Sequence, residues 1–246
     1  MNNLYSNNHP IINLYKKTSL ESEIVTQMIY GDRFCIINKS SKWIKIKNEE
    51  DGYIGYIIKK KFILYIKPTH KVSALFANTY KNSNFKNKIA KLPYGSKIKV
   101  IDVNHKFSKF QNSWIEKKNI KLLKYKNKDI FKNAKIFKDV KYLWGGKTFK
   151  GIDCSALIQI CLNFNNNYCP RNTDQQEKFF KKNINLKNIK KNDIIYWKGH
   201  VALALSNTKL VHAYGPKKKT IIMSILKTIK LIKKTANLDV LSIKRI

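Results

Sequence analysis

Two octapeptides in this chain match one another. Tyr30-Gly31-Asp32-Arg33-Phe34-Cys35-Ile36-Ile37 runs parallel to Tyr94-Gly95-Ser96-Lys97-Ile98-Lys99-Val100-Ile101. Each is a Tyr-Gly turn leading into strand-forming residues. Before each glycine lies an isoleucine-containing strand, around Ile24 and Ile89, and after it a tryptophan strand, Trp43-Ile44 and Trp114-Ile115. Such a repeat commits the first half of the chain to two copies of one small unit. Short strands between frequent turns make that unit a β-barrel or sandwich. The first copy continues through the turn Asp51-Gly52 into Tyr53-Ile54-Gly55-Tyr56-Ile57-Ile58, whereas the second fits the pattern only weakly after Ile101.

The two copies resemble bacterial Src-homology-3-like barrels, assigned to residues 1–66 and 67–126, the second divergent. A charged connector, residues 124–128, follows. From residue 127 onward the pattern changes to an α+β domain of 127–246. A short helix is expected over 131–140, then the aromatic-glycine turn Tyr142-Leu143-Trp144-Gly145-Gly146. Helical spacing recurs from Cys154 to about Phe164, around Gln175 and Gln176, and over 224–234. Strands are expected at 194–197, 200–205, 210–214 and 239–243. Helix first and antiparallel sheet afterwards define the α+β class.

Chemistry concentrates in Gly151-Ile152-Asp153-Cys154-Ser155. Asp and Ser start helices by accepting hydrogen bonds from first-turn N–H groups. A cysteine there feels the positive end of the helix dipole, which favours thiolate. A nucleophilic thiol needs a base, and the base an orienting group. His200 and His212 lie in a predicted hairpin, and their mutual geometry depends on its loop. A two-residue loop puts them on opposite faces. A three-residue loop at 206–208 pairs Ala202 with His212 and brings both to one face, with Asn207 a candidate for positive φ.

Tyr-x-Trp-Gly-Gly, Gly-Ile-Asp-Cys-Ser, Pro-Arg, Asn-Asp-Ile-Ile-Tyr-Trp, His-Val-Ala-Leu-Ala-Leu and Val-His-Ala occur in this order over residues 142–214. Together they resemble the NlpC-type family of papain-like cysteine peptidases of peptidoglycan. The resemblance implies cleavage of the γ-D-glutamyl bond to a diamino acid in stem peptides. Members with two N-terminal barrels resemble recycling enzymes acting on free-amine L-Ala-γ-D-Glu-diamino acid peptides. By the same resemblance Cys154 is the nucleophile, His200 the general base, His212 its orienting partner and Tyr142 an oxyanion donor beside the Cys154 N–H. Asp153 and Ser155 would hold the substrate's ammonium as well as cap the helix. Glu49, Glu50, Asp51, Tyr53 and Tyr56 are all candidates for a first-barrel contribution. Ala156 departs from the family's usual glycine.

Competing readings narrow on composition. The chain of 246 residues carries a formal charge of +35, yet only Arg33, Arg171 and Arg245 are arginine. Nucleic-acid readers lean on arginine forks, and these lysines are spread along the whole chain. They read as a solvated background, with no specific nucleic-acid partner expected. Lys217-Lys218-Lys219 reads as a solvated loop and Arg171 as a loop anchor through a salt bridge. Cys154, His200 and His212 lack zinc-site spacing, so neither metal nor cofactor is expected. Cys35, Cys161 and Cys169 read as structural. Residues 1–10 show no signal-peptide pattern and no stretch reaches membrane-spanning length, so a cytoplasmic location is expected. The alternative function is a non-catalytic wall-peptide-binding module on a degenerate peptidase scaffold.

Overall fold

The computed structural model describes residues 3–246, and the first two residues of the expected first domain lie outside it. The chain forms two compact units. One comprises the chain up to Lys126 together with Lys147–Phe149. The other comprises Asn127–Gly146 and Lys150–Ile246.

In the first unit the repeat is visible as backbone geometry. Gly31 and Gly95 both sit at φ +83°. The Asp32 N–H donates to the Ile29 carbonyl and the Ser96 N–H to that of Pro93, each at 3.1 Å. A Cβ on Gly31 would lie 2.1 Å from the Lys97 carbonyl oxygen, so φ and space both demand glycine. The first copy builds a seven-stranded sheet, in the order 24–29, 11–15, 54–58, 43–48, 33–39, 4–6 and 63–64. Its core is Leu14, Met28, Phe34, Ile46 and Ile57. The second copy divides into a five-stranded and a three-stranded sheet. Val72, Leu92, Ile98, Phe110 and Ile115 are buried there.

The second unit places helix α1 (Cys154–Phe164) beside a six-stranded antiparallel sheet. The sheet order is 182–183, 242–245, 194–197, 200–204, 209–214 and 219–224. Ten of the eleven α1 residues are buried, as expected of a helix apolar on every face. Asp153 starts it by accepting the Ala156 N–H at 2.8 Å. Helix α2 (Thr173–Phe179) begins with a capping box between Asn172 and Gln175. Helix α3 (Ile225–Ala236) begins at Ser224 and ends on Asn237 in the left-handed region, a conformation asparagine tolerates.

Several local expectations need correction. The short helix expected over 131–140 is present as a 3-10 helix, Lys132–Phe137. The last strand is Ser242–Arg245 rather than 239–243, because the neighbouring strand pairs Ile195 with Ile243 and Tyr196 with Ser242. Lys219 is not in a loop. It opens the edge strand Lys219–Ser224 and its Nζ meets Asp139 at 2.7 Å. The histidine hairpin pairs Leu203 with Val211 and Ala204 with Leu210, and the Leu205 N–H donates to Lys209, leaving residues 206–208 as the loop. Asn207, however, does not adopt positive φ. Ser206 Oγ accepts both the Thr208 and the Lys209 N–H groups at 3.1 Å. This serine turn satisfies the loop's donors without a left-handed residue. No helix among the described residues is long and apolar enough to cross a membrane.

Candidate active site

The turn before the cysteine is set by glycine. Gly145 adopts φ +71°, and a Cβ on Gly146 would stand 2.6 Å from the Gly151 carbonyl oxygen. This close approach lets Tyr142 bridge to Ile152, two residues before Cys154. Cys154 then occupies the first position of α1 and is buried. A backbone N–H in a helix's first turn has no intrahelical acceptor.

Asp153 is the most heavily engaged carboxylate of this region. It accepts the Gly145 N–H at 3.0 Å, the Ser155 hydroxyl at 3.1 Å and the Ala156 N–H at 2.8 Å. Arg171 closes on it with a two-pronged contact, Nη1 to Oδ1 at 3.0 Å and Nη2 to Oδ2 at 2.5 Å. The same Nη1 reaches Ser155 Oγ at 2.8 Å. Arg171 is 2% exposed. A buried guanidinium demands such a fork, and a planar carboxylate matches it. Gln176, fully buried, donates to the Ser155 and Pro170 carbonyls at 2.9 Å, tying α2 to the same corner. Asp153 and Ser155 thus meet one another, the helix N-terminus and Arg171. The expected ammonium clamp would have to form on atoms already hydrogen-bonded internally.

The histidine hairpin supplies the other half. His200 Nε2 lies 2.9 Å from His212 Nδ1, and His212 Nε2 lies 3.4 Å from Met223 Sδ. A thioether can only accept. His212 therefore carries its proton on Nε2 and presents a bare Nδ1, to which His200 Nε2–H donates. That chain leaves His200 Nδ1 as the unprotonated ring nitrogen. Tyr214 stacks on His212 with centroids 4.6 Å apart, and Trp197 flanks His200.

The resting charges differ from the sequence expectation. Burial pushes the Cys154 thiol up to about 11, and the Asp153 carboxylate adds to this. The Val201 N–H, the Thr173 hydroxyl and Arg171 act in the opposite direction without prevailing. Burial pushes His200 down to about 4. Burial and the neighbouring His200 push His212 down to about 3. The helix dipole is thus outweighed by desolvation: thiol and imidazoles are all neutral at pH 7. Tyr142 is also shifted up by burial, with Cys154 and Asp153 reinforcing it, so its phenol keeps its proton and can donate.

Four of the five first-unit candidates, Glu49, Glu50, Asp51 and Tyr56, have partners within that unit. Glu50 meets Arg33 and Lys97, Glu49 meets Lys47, and Asp51 lies 3.9 Å from buried Lys147. Tyr56 stands under Lys45. Met223 and Thr173 belong to the site's surroundings and carry no motif signal in the sequence.

Comparison with known proteins follows the same division. Residues 139–237 match the model of the NlpC/P60 family, and residues 14–61 match that of the bacterial dipeptidyl-peptidase Sh3 domain. The chain is 25% identical over 228 residues to dipeptidyl-peptidase 6 of Lysinibacillus sphaericus, covering 82% of this chain and 84% of the relative. It is 23% identical to the γ-D-glutamyl-L-lysine dipeptidyl-peptidase of Bacillus subtilis over 85% of this chain and 78% of the relative. A crystal structure of an NlpC/P60 family protein from Bacillus cereus superposes with TM-score 0.85 at 16% identity, covering 98% of this chain and 99% of that one.

Proposed function

We propose that this chain, which belongs to the NlpC/P60 family of cysteine peptidases, hydrolyses the γ-D-glutamyl bond to a diamino acid in free-amine peptides of the L-Ala-γ-D-Glu-diamino acid type. Cys154 is the nucleophile, His200 the base, His212 its orienting partner and Tyr142 an oxyanion donor. The observation that carries this reading is the relay from His200 through His212 to Met223, at 2.9 and 3.4 Å. It presents a bare His200 Nδ1 in a strand whose next residue, Val201, offers its N–H to the Cys154 thiol.

The resting pair is neutral, so proton transfer accompanies attack. The thiol proton passes to His200 Nδ1 as sulfur bonds to the glutamyl carbonyl carbon. The Cys154 N–H and the Tyr142 hydroxyl receive the developing oxyanion. The imidazolium then protonates the leaving amine, and the C–N bond breaks to leave a thioester. Water, deprotonated by the same imidazole, releases the acyl group and restores the thiol. Asp153 and Arg171 hold the first turn of α1 in place. Contact of Asp153 and Ser155 with the substrate ammonium remains part of the proposal, supported by the family resemblance. We also assign residues 1–66 and 67–126 as two successive barrel modules, supported by the matched Tyr-Gly turns.

The test is Cys154→Ala assayed on L-Ala-γ-D-Glu-diaminopimelate. Loss of about 10⁴-fold or more in kcat is expected, and unchanged turnover would sink the assignment. Slow alkylation of Cys154 would not count against catalysis, since a neutral buried thiol is sluggish until substrate arrives.

A further inference from the structure

At the loop end of the histidine hairpin the second unit holds a cavity of about 470 Å³, with Asn207 of the loop 206–208 in its lining. His200 opens the strand that leads into this loop, five residues of extended chain earlier, roughly 17 Å at about 3.3 Å per residue. The segment 183–190 supplies most of the remaining lining, and Arg245 of the last strand completes it. No aspartate, glutamate or aromatic residue is part of the lining. Unengaged polar groups are concentrated there. The ammonium groups of Lys187 and Lys190 have no carboxylate partner among the described residues, and the side-chain amides of Asn183, Asn185, Asn188 and Asn207 have no hydrogen-bond partner among them. Arg245 adds a cation already held in place. Its Nε and Nη2 close on Asp193 at 2.7 Å, and Nη2 also donates to the Asn188 carbonyl at 3.0 Å, which leaves Nη1 without a partner among the described residues. Asp193 answers the Arg245 charge, so the two lysines are the uncompensated cations of the cavity.

We infer that this cavity is a second binding site, apart from the histidines, and that it takes a phosphorylated sugar or polyol. A phosphate monoester carries about −1.5 to −2 charge at pH 7, which two ammonium groups match and a single carboxylate does not. An asparagine amide offers both a donor and an acceptor, the pair that a hydroxyl group calls for. Ile184 and Ile189 are the apolar side chains of the lining and suit the C–H surface of such a ligand. A nucleotide fits less well, because the lining has no ring on which a base could stack. The volume lies within the range of small-molecule sites.

A formal charge of +35 gathers anions at any surface, so the experiment separates a site from that background. Glucose 6-phosphate and inorganic phosphate are titrated by calorimetry into the full chain at about 0.15 M salt, where charges more than about 8 Å apart are largely screened. Glucose 6-phosphate should saturate one site and bind more tightly than inorganic phosphate. Lys187→Gln/Lys190→Gln should weaken it about 5- to 10-fold, the combined effect of two exposed charge pairs. Lys227→Gln/Lys230→Gln removes the same charge from exposed positions of α3 and should leave binding unchanged. Asn185→Ala/Asn207→Ala should bring glucose 6-phosphate toward the affinity of inorganic phosphate and leave inorganic phosphate as it was. All the substituted side chains are exposed, so each variant should melt as the wild type does. Binding that does not saturate, or that both lysine pairs weaken alike, would be adsorption to the charged surface and would overturn the inference. Equal affinity for the two probes would overturn the sugar or polyol assignment. The readout is binding alone, so its outcome is independent of the cleavage proposed above.

Discussion

The N-terminus of α1 and the histidine hairpin are built on opposite electrostatic plans. At the helix terminus a carboxylate and a guanidinium are buried together, with five hydrogen bonds converging on Asp153. In the hairpin the two histidines are held neutral by burial, and order comes from His200, His212 and Met223 passing one proton preference along a line. The contrast shows how one site can be rigid and yet poised to transfer a proton. Charge is spent on the scaffold, where a fixed ion pair sets geometry. The proposed nucleophile and base carry none at neutral pH. The ion pair beside the thiol does not ionise it, because the Asp153 carboxylate raises the thiol more than the Arg171 guanidinium lowers it.

The comparison breaks most severely at Arg171. Arg171→Met leaves the Asp153 carboxylate buried without its fork, which should destabilise the fold by about 3–5 kcal/mol. Chemical denaturation would measure it, and an Asp153→Asn/Arg171→Met double variant should recover part of the loss. If Arg171→Met unfolds at the wild-type denaturant concentration, the ion pair is not the scaffold.

Acid should strike the neutral half instead. Both histidines have folded values below their ordinary 6.5, so the unfolded chain binds more protons as pH falls. Their contribution is complete above about 6.5 and is lost progressively as pH drops toward 4, on the order of 1 kcal/mol per pH unit for each histidine. Cys154 is shifted the other way, so its contribution is complete below about 9 and fades as pH rises through about 11. Thermal melts between pH 4 and 7 test the acid limb. A Tm that is flat there would mean the imidazoles are already charged in the folded state.

The smallest expected effect is the most specific. Met223→Leu keeps volume and should cost less than about 1.5 kcal/mol in stability. It removes the sulfur acceptor of His212 Nε2–H, so kcat should fall about 2- to 10-fold with KM little changed, since the weak bond it breaks acts only through the tautomer. An unaltered kcat would show that the His200–His212 contact alone orients the base.

Much of this arrangement was legible before the fold was seen. The matched Tyr-Gly octapeptides announced paired glycine turns, and both glycines stand at the same φ. Loop parity alone brought His200 and His212 to one face, because strand side chains alternate with period two. Asn207 was misjudged because a serine side chain can satisfy a loop's N–H groups as well as a left-handed residue can. Arg171 left a trace that composition made readable. In a chain whose basic residues are otherwise lysine, Arg33, Arg171 and Arg245 each close on a carboxylate, those of Glu50, Asp153 and Asp193. Where lysine is the background, arginine marks a place that needs a fork.

Local chemistry therefore determined which residues cap, turn and alternate. Asp153 and Ser155 start a helix, and a thiol sits at its first position with two histidines available downstream. Tertiary structure alone decided the protonation of those groups and the partner of Arg171. A pKa depends on how completely every packed element excludes water, and α1, the hairpin and the edge strand bearing Met223 all take part. None of those contacts is encoded at a fixed spacing, so the thiolate favoured by the helix position gives way on burial to a neutral thiol.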